Sequence, residues 1–293
     1  MDEDVIKELR SRNIILQDRI GEGGFKKVYK ALVNGKIEAL KITQLLDSSI
    51  SDEEEKRNYQ LKMLLRSKRE FEILREVGGE NLVALGSVGE TEAVIAGMPY
   101  YFYSEEYLDG HTLSIPQKEG DFPSWESIKE LFDTGVKVLK RLNANNTIHR
   151  DIKPQNIMEL SDPCRRFVFF DLGIAYQEDD SSITSTGDIA PGTRLYRAPE
   201  TFYPDYKDNL DIRSDLYSLA VTVFVYATGK HPYVDDFCNN VSNQIITNPV
   251  KNIMVYRSDI PSEFSTILSY CLKKQPALRP TLTKIENLLT RVR

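Results

Sequence analysis

The sequence predicts an α+β fold with two lobes, a small β-rich first lobe with one long helix and a larger α-helical second lobe. Between residues 14 and 42, short apolar runs are separated by glycines or by Asn34-Gly35, a dipeptide that favours a hairpin because both residues tolerate positive φ. Over residues 124–143 apolar residues recur at helical spacing, and the pattern from about Ser214 onward is mostly helical. We therefore divide the chain into an N-terminal extension (1–13), a first lobe (14–107) and a second lobe (108–293).

The elements of the first lobe follow from the order of its apolar runs. Strands are expected over residues 14–16, 27–31, 37–41, 82–88 and 99–108. Between the third and fourth of these, Ser51 and Glu54 have the spacing of a capping box, which predicts the start of a long helix. We expect this helix to reach Val77, where Gly78-Gly79 ends it, with Ser67 as a candidate break point.

Composition excludes several classes of protein. The 41% hydrophobic and 28% charged residues are those of an ordinary soluble globular protein, and the net charge of −6 argues against general affinity for nucleic acid. The most apolar stretch, residues 216–227, is too short to span a bilayer and is predicted to be a buried helix. The acidic start lacks a signal-peptide pattern, and the three cysteines have neither disulfide nor metal-ligand spacing. We expect a cytoplasmic protein with no nucleic-acid or membrane partner, and we make no prediction of its oligomeric state.

The run of residues 148–157 carries the most specific chemistry. It places a carboxylate, an ammonium and a carboxamide on one short loop, as Asp151, Lys153 and Asn156. Phosphoryl transfer needs an acceptor for the substrate proton, a cation beside the transferred phosphate and an uncharged oxygen ligand for Mg²⁺. A polar turn between a helix and a strand is the simpler alternative, but it does not require these residues at these offsets.

A glycine-rich run lies near the start of the first lobe. It comprises Ile20, Gly21, Glu22, Gly23, Gly24, Phe25, Lys26, Lys27 and Val28. Glycines allow a backbone to approach phosphates closely and to direct its N–H groups at them, although many such hairpins are plain turns. Lys41 lies thirteen residues after Val28, where a lysine would hold the α- and β-phosphates of a nucleotide. An exposed strand lysine is the alternative interpretation.

Two further carboxylates complete the candidate site. Glu70 on the long helix is the expected partner of Lys41, with Glu72 as the alternative, because residues two apart on a helix point in different directions. Asp171 ends an apolar strand shortly before Gly173, which suits a metal ligand as well as an ordinary turn aspartate. We expect Asp171 and Asn156 to share Mg²⁺.

With these motifs in family order, the chain resembles a eukaryotic-type serine/threonine protein kinase over about residues 14–289. The landmarks are the glycine-rich run, Lys41, Glu70, His149-Arg150-Asp151, Asn156, Asp171-Leu172-Gly173, Ala198-Pro199-Glu200, Asp215 and Arg279. The resemblance implies the bilobal protein-kinase fold, ATP and Mg²⁺ as cofactors, and protein substrates with serine or threonine acceptors. It also implies that Ala39, Glu106 and Leu108 contact the bound nucleotide.

Residue roles follow from the same resemblance. Asp151 would orient the acceptor hydroxyl and take its proton, Lys153 would stabilise charge on the γ-phosphate, and Thr193 would hold both in register. Asp215 would brace the catalytic loop, and a buried pair would form between Glu200 and Arg279. The position of Lys153 favours serine and threonine over tyrosine acceptors. A pseudokinase and a small-molecule phosphotransferase are the alternatives.

The segment between Asp171 and Glu200 has a tip rich in hydroxyl groups, at residues 179–186. We expect autophosphorylation at Thr184 or Thr186, with Arg150 pairing to the phosphate, against the alternative of a plain polar loop.

Several positions depart from the family pattern, and two of them lie near the expected nucleotide. Lys26 replaces the third glycine of the glycine-rich run, and Glu105 aligns at the back of the nucleotide pocket. A carboxylate facing an apolar pocket is costly unless it is paired. Either the alignment is wrong by one residue or Glu105 has a partner.

Overall fold

The computed structural model describes most of the chain, in two compact units, Met1–Asp109 and Gly110–Arg293. The described residues are 3–22, 26–47, 49–116, 118, 120–173, 175–177, 193–203, 210–235 and 240–292. Several residues named above lie outside them, namely Gly23, Gly24, Phe25, Thr184 and Thr186, as does Cys238, one of the three cysteines.

The described part of the first unit is built on a five-stranded antiparallel sheet in the order β1-β2-β3-β5-β4. The strands are β1 (Ile14–Glu22), β2 (Lys26–Val33), β3 (Lys36–Gln44), β4 (Thr91–Ile95) and β5 (Met98–Glu106), and the helices are α1 (Glu3–Ser11) and α2 (Glu53–Val77). Asn34 and Gly35 join β2 to β3 with φ of 49° and 87°, so the predicted hairpin is confirmed.

The N-terminal extension belongs to the first unit, because helix α1 packs against its sheet. Its apolar side chains Val5 and Leu9 are buried in one hydrophobic core with Leu40 of β3 and Phe102 of β5. Burial of apolar surface contributes roughly 25 cal/mol per Å². The helix is therefore held on this face of the sheet by its two apolar positions, one turn apart.

Helix α2 has the predicted C-terminal end but a different N-cap. The carboxylate of Asp52 accepts the backbone N–H of Glu54 at 2.9 Å, so the capping box expected at Ser51 is wrong. The same carboxylate accepts the Glu55 N–H at 2.8 Å, so Asp52 satisfies two of the free N–H groups of the first turn without Ser51. The expected break at Ser67 is also absent, since α2 continues through this residue. The Ser67 hydroxyl donates a hydrogen bond to Thr43 Oγ1 at 3.1 Å.

Residues 82–88 do not form the predicted strand: Leu85 makes an isolated bridge to Glu105, and the N–H groups of Ala84 and Val88 donate to the side chains of Glu106 and Ser104. The carboxylate of Glu38 accepts the Ser87 N–H at 2.9 and 3.0 Å and the Ser104 hydroxyl at 2.5 Å. Burial opposes ionisation of Glu38, but the hydrogen bonds from Ser104 and Ser87 outweigh it and lower the pKa of this carboxyl. Gly86 permits the close approach, since a Cβ there would lie 2.5 Å from Glu38 Oε2.

The described part of the second unit is mainly helical. Its helices are α3 (Trp125–Ala144), α4 (Ile212–Thr228), α5 (Val241–Thr247), α6 (Ser262–Cys271) and α7 (Leu282–Leu289). Its short strands are β6 (Gly110–Thr112), β7 (Thr147–Ile148), β8 (Ile157–Leu160), β9 (Phe167–Phe169) and β10 (Tyr176–Gln177). Strands β6, β8 and β9 form one sheet, and β7 pairs with β10. The loop between β7 and β8 contains Asp151, Lys153 and Asn156.

Two helices form the centre of this unit. The predicted amphipathic helix is α3, which Ser124 caps by accepting the Ser127 N–H at 3.2 Å. The predicted buried helix is α4, whose residues 214–228 are all buried. Gly135 of α3 allows close contact with Leu219 of α4, because a Cβ there would lie 2.5 Å from a Leu219 methyl group. Searching the described residues for a helix with the length and apolar character of a membrane span finds none.

Candidate active site

A buried ion pair lies on the sheet of the first unit. Lys41 Nζ is 2.7 Å from Glu70 Oε1, and the two side chains are 5% and 3% exposed. Glu70, and not Glu72, is therefore the helix residue that contacts Lys41. Side chains alternate along a strand, so Ala39 and Lys41 share the face on which Glu70 lies, whereas Leu40 joins the core beneath α1.

Two more charged side chains extend this pair. Lys26 Nζ contacts both carboxylate oxygens of Glu70, at 2.9 and 3.0 Å. Glu105 Oε1 lies 2.5 Å from Lys41 Nζ, and Glu105 is opposite Ala39 in the β3–β5 register. The unusual carboxylate thus has a partner and the alignment needs no shift. Burial raises the pKa of Glu105, the nearby Lys41 ammonium lowers it, and repulsion from Glu70 raises it further.

The described part of the glycine-rich hairpin divides between the two sheet faces. Gly21 is paired with Val28 between β1 and β2, and Val28 lies opposite Lys41 between β2 and β3. Lys26 and Val28 therefore share the Lys41 face, whereas Lys27 points to the other side of the sheet. Ile20 is about half exposed.

The remaining predicted nucleotide contacts lie at or next to strand ends. Glu22 ends β1 and forms an exposed ion pair with Arg19 at 2.9 Å. Glu106 ends β5, and its carboxylate accepts the Ala84 N–H at 2.8 Å, which anchors that strand end. Leu108 follows β5 and is partly buried.

In the second unit, three side chains predicted to be catalytic form one hydrogen-bonded triangle. Lys153 Nζ donates to Asp151 Oδ2 at 2.6 Å and to Thr193 Oγ1 at 2.8 Å. The Thr193 N–H donates to Asp151 Oδ1 at 3.0 Å. Each oxygen of the Asp151 carboxylate accepts a hydrogen bond, so its orientation is determined from both sides.

The predicted metal ligands follow in the same unit. Asn156 Nδ2 donates to the backbone oxygen of Asp151 at 2.9 Å and to its Oδ2 at 3.0 Å, which leaves Asn156 Oδ1 as the atom suited to a cation. The Phe170 N–H donates to the Asn156 backbone oxygen at 3.0 Å and so ties the segment before Asp171 to this loop. A carboxylate and an amide oxygen fit Mg²⁺, which prefers oxygen ligands and takes others from nucleotide phosphates. Over the residues that the structure describes, no cluster of three or more His, Cys, Asp or Glu side chains is present to hold a metal.

The loop between β7 and β8 contains one residue with an unfavourable backbone conformation. Arg150 has a φ of 70°, in the left-handed region that non-glycine residues seldom adopt. Asp215 of α4 accepts the backbone N–H groups of His149 at 2.6 Å and Arg150 at 2.8 Å. The predicted brace thus consists of two charge-assisted hydrogen bonds that the buried Asp215 carboxylate accepts, and these offset the strain at Arg150.

Residues 14–289 match the family model of the protein kinase domain. The chain belongs to the protein kinase family. This kinase domain is 28% identical over 278 residues to a probable serine/threonine-protein kinase of Clostridium acetobutylicum, with 94% of this chain and 39% of that protein covered. It is 30% identical over 280 residues to a probable serine/threonine-protein kinase of Clostridium perfringens, with 93% and 37% covered. It is 29% identical over 216 residues to the serine/threonine-protein kinase PknB of Mycobacterium leprae, with 73% and 33% covered. The chain spans less than two fifths of the length of these relatives.

The kinase domain also contains a histidine that the sequence pattern did not single out. His231 Nδ1 accepts the N–H groups of Tyr233 at 3.1 Å and Val234 at 3.0 Å, so its Nε2 carries the proton and donates to Leu195 O at 2.7 Å. Burial lowers the pKa of His231 to about 4. This histidine ties the turn that follows Thr193 to the segment after α4.

Proposed function

We propose that the chain transfers the γ-phosphoryl group of Mg-ATP to serine and threonine hydroxyls of proteins. The observation that supports this most directly is the triangle of Asp151, Lys153 and Thr193, because it combines a proton acceptor with a cation in one hydrogen-bonded arrangement. The names of the relatives, which are serine/threonine kinases, favour the same acceptor.

In the proposed reaction Asp151 orients the acceptor hydroxyl and takes its proton as the oxygen attacks the γ-phosphorus. The bond from the γ-phosphorus to the bridging oxygen breaks, and the electron pair leaves with ADP. Lys153 stabilises the negative charge on the transferred group, and its bond to Thr193 keeps it beside Asp151. These roles rest on the short contacts of the triangle.

The other predicted residues have supporting roles in the proposal. Lys41 binds the α- and β-phosphates, and Glu70 orients its ammonium. Asn156 and Asp171 would hold Mg²⁺, which supplies neutralisation of phosphate charge when bound. The backbone near Gly21 and the side chain of Val28 would cover the nucleotide, since Val28 lies opposite Lys41 in the sheet.

The central test is transfer from radiolabelled ATP to a generic basic protein and, in parallel, to small-molecule alcohols. We expect labelling of the protein and none of the alcohols, whereas preferential labelling of the alcohols would favour a small-molecule phosphotransferase. Asp151→Asn and Lys41→Met should each abolish transfer while the circular dichroism spectrum stays that of the wild type. Turnover retained by either variant would reject the proposed roles.

Autophosphorylation at Thr184 or Thr186 is part of the proposal and rests on the hydroxyl-rich sequence of that segment. Arg150 would pair with the new phosphate. Phosphopeptide mapping after incubation with ATP tests it, and absence of phosphate from residues 181–186 would reject it. Protein substrates and a cytoplasmic location remain predictions, to be tested by phosphoproteomics against Asp151→Asn and by cell fractionation.

A further inference from the structure

Four charged side chains on the sheet face that carries Lys41 form a continuous path in which the sign of the charge alternates. From the glycine-rich hairpin inward, they are Lys26, Glu70, Lys41 and Glu105, and each is within 3.0 Å of the next. Their side chains are between 3% and 12% exposed. Glu70 and Lys41 form the ion pair that the family resemblance implies, whereas Lys26 and Glu105 are additions to that pair.

Charge balance connects the two outer side chains. Buried charges are stable only when they are paired, and leaving one unpaired is strongly destabilising. Lys41 with two carboxylates alone would carry a net charge of −1, and the ammonium of Lys26 brings the four side chains to zero. Among these four side chains, Lys26 supplies the second positive charge and Glu105 the second negative one, and Lys26 contacts Glu70 and not Glu105 itself.

Glu105 interacts with Lys41 mainly through charge. Its Oε1 lies 2.5 Å from Lys41 Nζ, and the attraction of opposite charges is the larger part of that contact. Glu70 Oε1, in contrast, accepts a hydrogen bond from the same ammonium at 2.7 Å. Lys41 thus lies between two carboxylates, and Glu105 places a second negative charge beside it.

We propose that Glu105 weakens the binding of nucleotide phosphate at Lys41 and that Lys26 offsets this effect, so that the two residues together set the affinity for ATP. This inference rests on the proposed binding of ATP phosphates by Lys41. A phosphate oxygen that approaches Lys41 meets the field of Glu105, which repels it, and the field of Lys26, which attracts it. Both residues are positioning and affinity-setting residues, and neither takes part in bond making.

The proposal predicts effects of opposite sign for two removals of charge. Glu105→Gln keeps the shape of the side chain, removes the negative charge and should bind ATP roughly three- to tenfold more tightly. Lys26→Met removes the positive charge and should bind ATP more weakly by a similar factor. The double variant keeps the neutral pair of Lys41 and Glu70, and its affinity should lie within about twofold of the wild type.

The experiment measures the dissociation constant of the fluorescent nucleotide mant-ATP without turnover, together with KM for ATP and kcat. Because the two residues act on phosphate binding in the ground state and the transition state alike, KM should follow the dissociation constant while kcat changes less than about twofold. Lys26→Arg keeps the positive charge and should retain the wild-type affinity for ATP. Lys7→Met and Glu76→Gln remove matched charges from exposed positions on α1 and α2 and should leave affinity unchanged.

The outcomes separate this inference from the proposed function. If the wild type binds no mant-ATP and transfers no phosphate, the proposed function itself is wrong. If the wild type binds nucleotide and Glu105→Gln binds it no more tightly, the inference is wrong. Weaker binding by both single variants would show a purely structural role and would also reject it. If Lys26→Met fails to fold, the ATP affinity of Glu105→Gln still shows whether Glu105 weakens nucleotide binding.

Discussion

Arg279 and Glu200 form a bidentate ion pair in the interior of the second unit. The two terminal nitrogens of Arg279 each donate to one oxygen of Glu200 at 2.7 Å, and the Arg279 side chain has no exposed surface. Its other N–H groups donate to the backbone oxygens of Lys273, Lys274 and Arg213 at 2.8 to 3.0 Å. All five N–H groups of the guanidinium therefore have acceptors, which a lysine could not reproduce.

We predict that Arg279→Ala destabilises the protein by about 3–5 kcal/mol, because it leaves Glu200 as an uncompensated buried charge. Urea unfolding monitored by circular dichroism measures the change. Arg291→Ala, at an exposed position near the C-terminal end of the described residues, is the control and should change the free energy of unfolding by less than about 0.5 kcal/mol. Equal effects of the two variants would contradict the importance of the Glu200 pair.

Asp215→Asn should lower both stability and the rate of phosphate transfer. The carboxamide has one oxygen, so its NH₂ group must face one of the two backbone N–H groups that Asp215 now accepts. We expect a loss of about 2–3 kcal/mol, the range for hydrogen bonds to charged groups, and a fall in kcat of at least about tenfold. Asp211→Asn on the same helix keeps a good N-cap and should have little effect. A fully active Asp215→Asn variant would show that the brace is dispensable.

Thr193→Val should lower kcat without weakening ATP binding. Valine keeps the shape of the side chain and the backbone N–H that bonds Asp151, but it removes the oxygen that accepts a hydrogen bond from Lys153. Misplacement of a catalytic group by about 1 Å can cost roughly a hundredfold, so we expect a tenfold to hundredfold fall in kcat. Initial-rate kinetics at varied ATP measure it. Thr193→Ser retains the hydroxyl and should stay near the wild type; if serine and valine behave alike, the hydroxyl has no role.

His231 should make the protein less stable in mild acid. Its pKa is lowered from 6.5 to about 4 in the folded state, so between these values the unfolded state binds more protons. Its contribution to stability is complete above pH 6.5 and declines as the pH falls towards 4. Unfolding free energies measured from pH 8 to 4 test this.

Two variants make the acid test specific. His231→Asn keeps an oxygen acceptor for the N–H groups of Tyr233 and Val234 but does not titrate, so its stability should decline less between pH 6.5 and 4. His111→Asn changes an exposed histidine and should retain the wild-type pH dependence. An unchanged slope in His231→Asn would assign the acid effect to other groups.

Local patterns predicted much of the fold correctly. The Asn34-Gly35 hairpin, the C-terminal end of α2 at Val77 and the amphipathic helix α3 depend on turn residues and on the spacing of apolar side chains, which a short window contains. The strand expected over residues 82–88 is reduced to an isolated bridge, because side chains of Glu106 and Ser104 bind the N–H groups of Ala84 and Val88. No local pattern records those hydrogen bonds.

In the candidate site, too, local spacing was predicted correctly and contacts between distant residues were not. Asp151, Lys153 and Asn156 lie within six residues of one another, so their spacing alone predicted the chemistry of the loop. The contact between Lys26 and Glu70 joins residues 44 positions apart and was not predicted. The sequence feature that points to this contact is the alternation of side chains along β2, which places Lys26 and Val28 on the same sheet face as Lys41.

The family, the order of the motifs and the types of functional group at the site follow from residues that are close together along the chain. The pairing of distant charges depends on the folded structure: Lys41 contacts Glu70 and not Glu72, Lys26 is the second cation, and Glu105 has Lys41 as its partner. The physical reason is that a buried charge must be compensated within a few ångströms. Strand register and helix packing determine which side chains come that close.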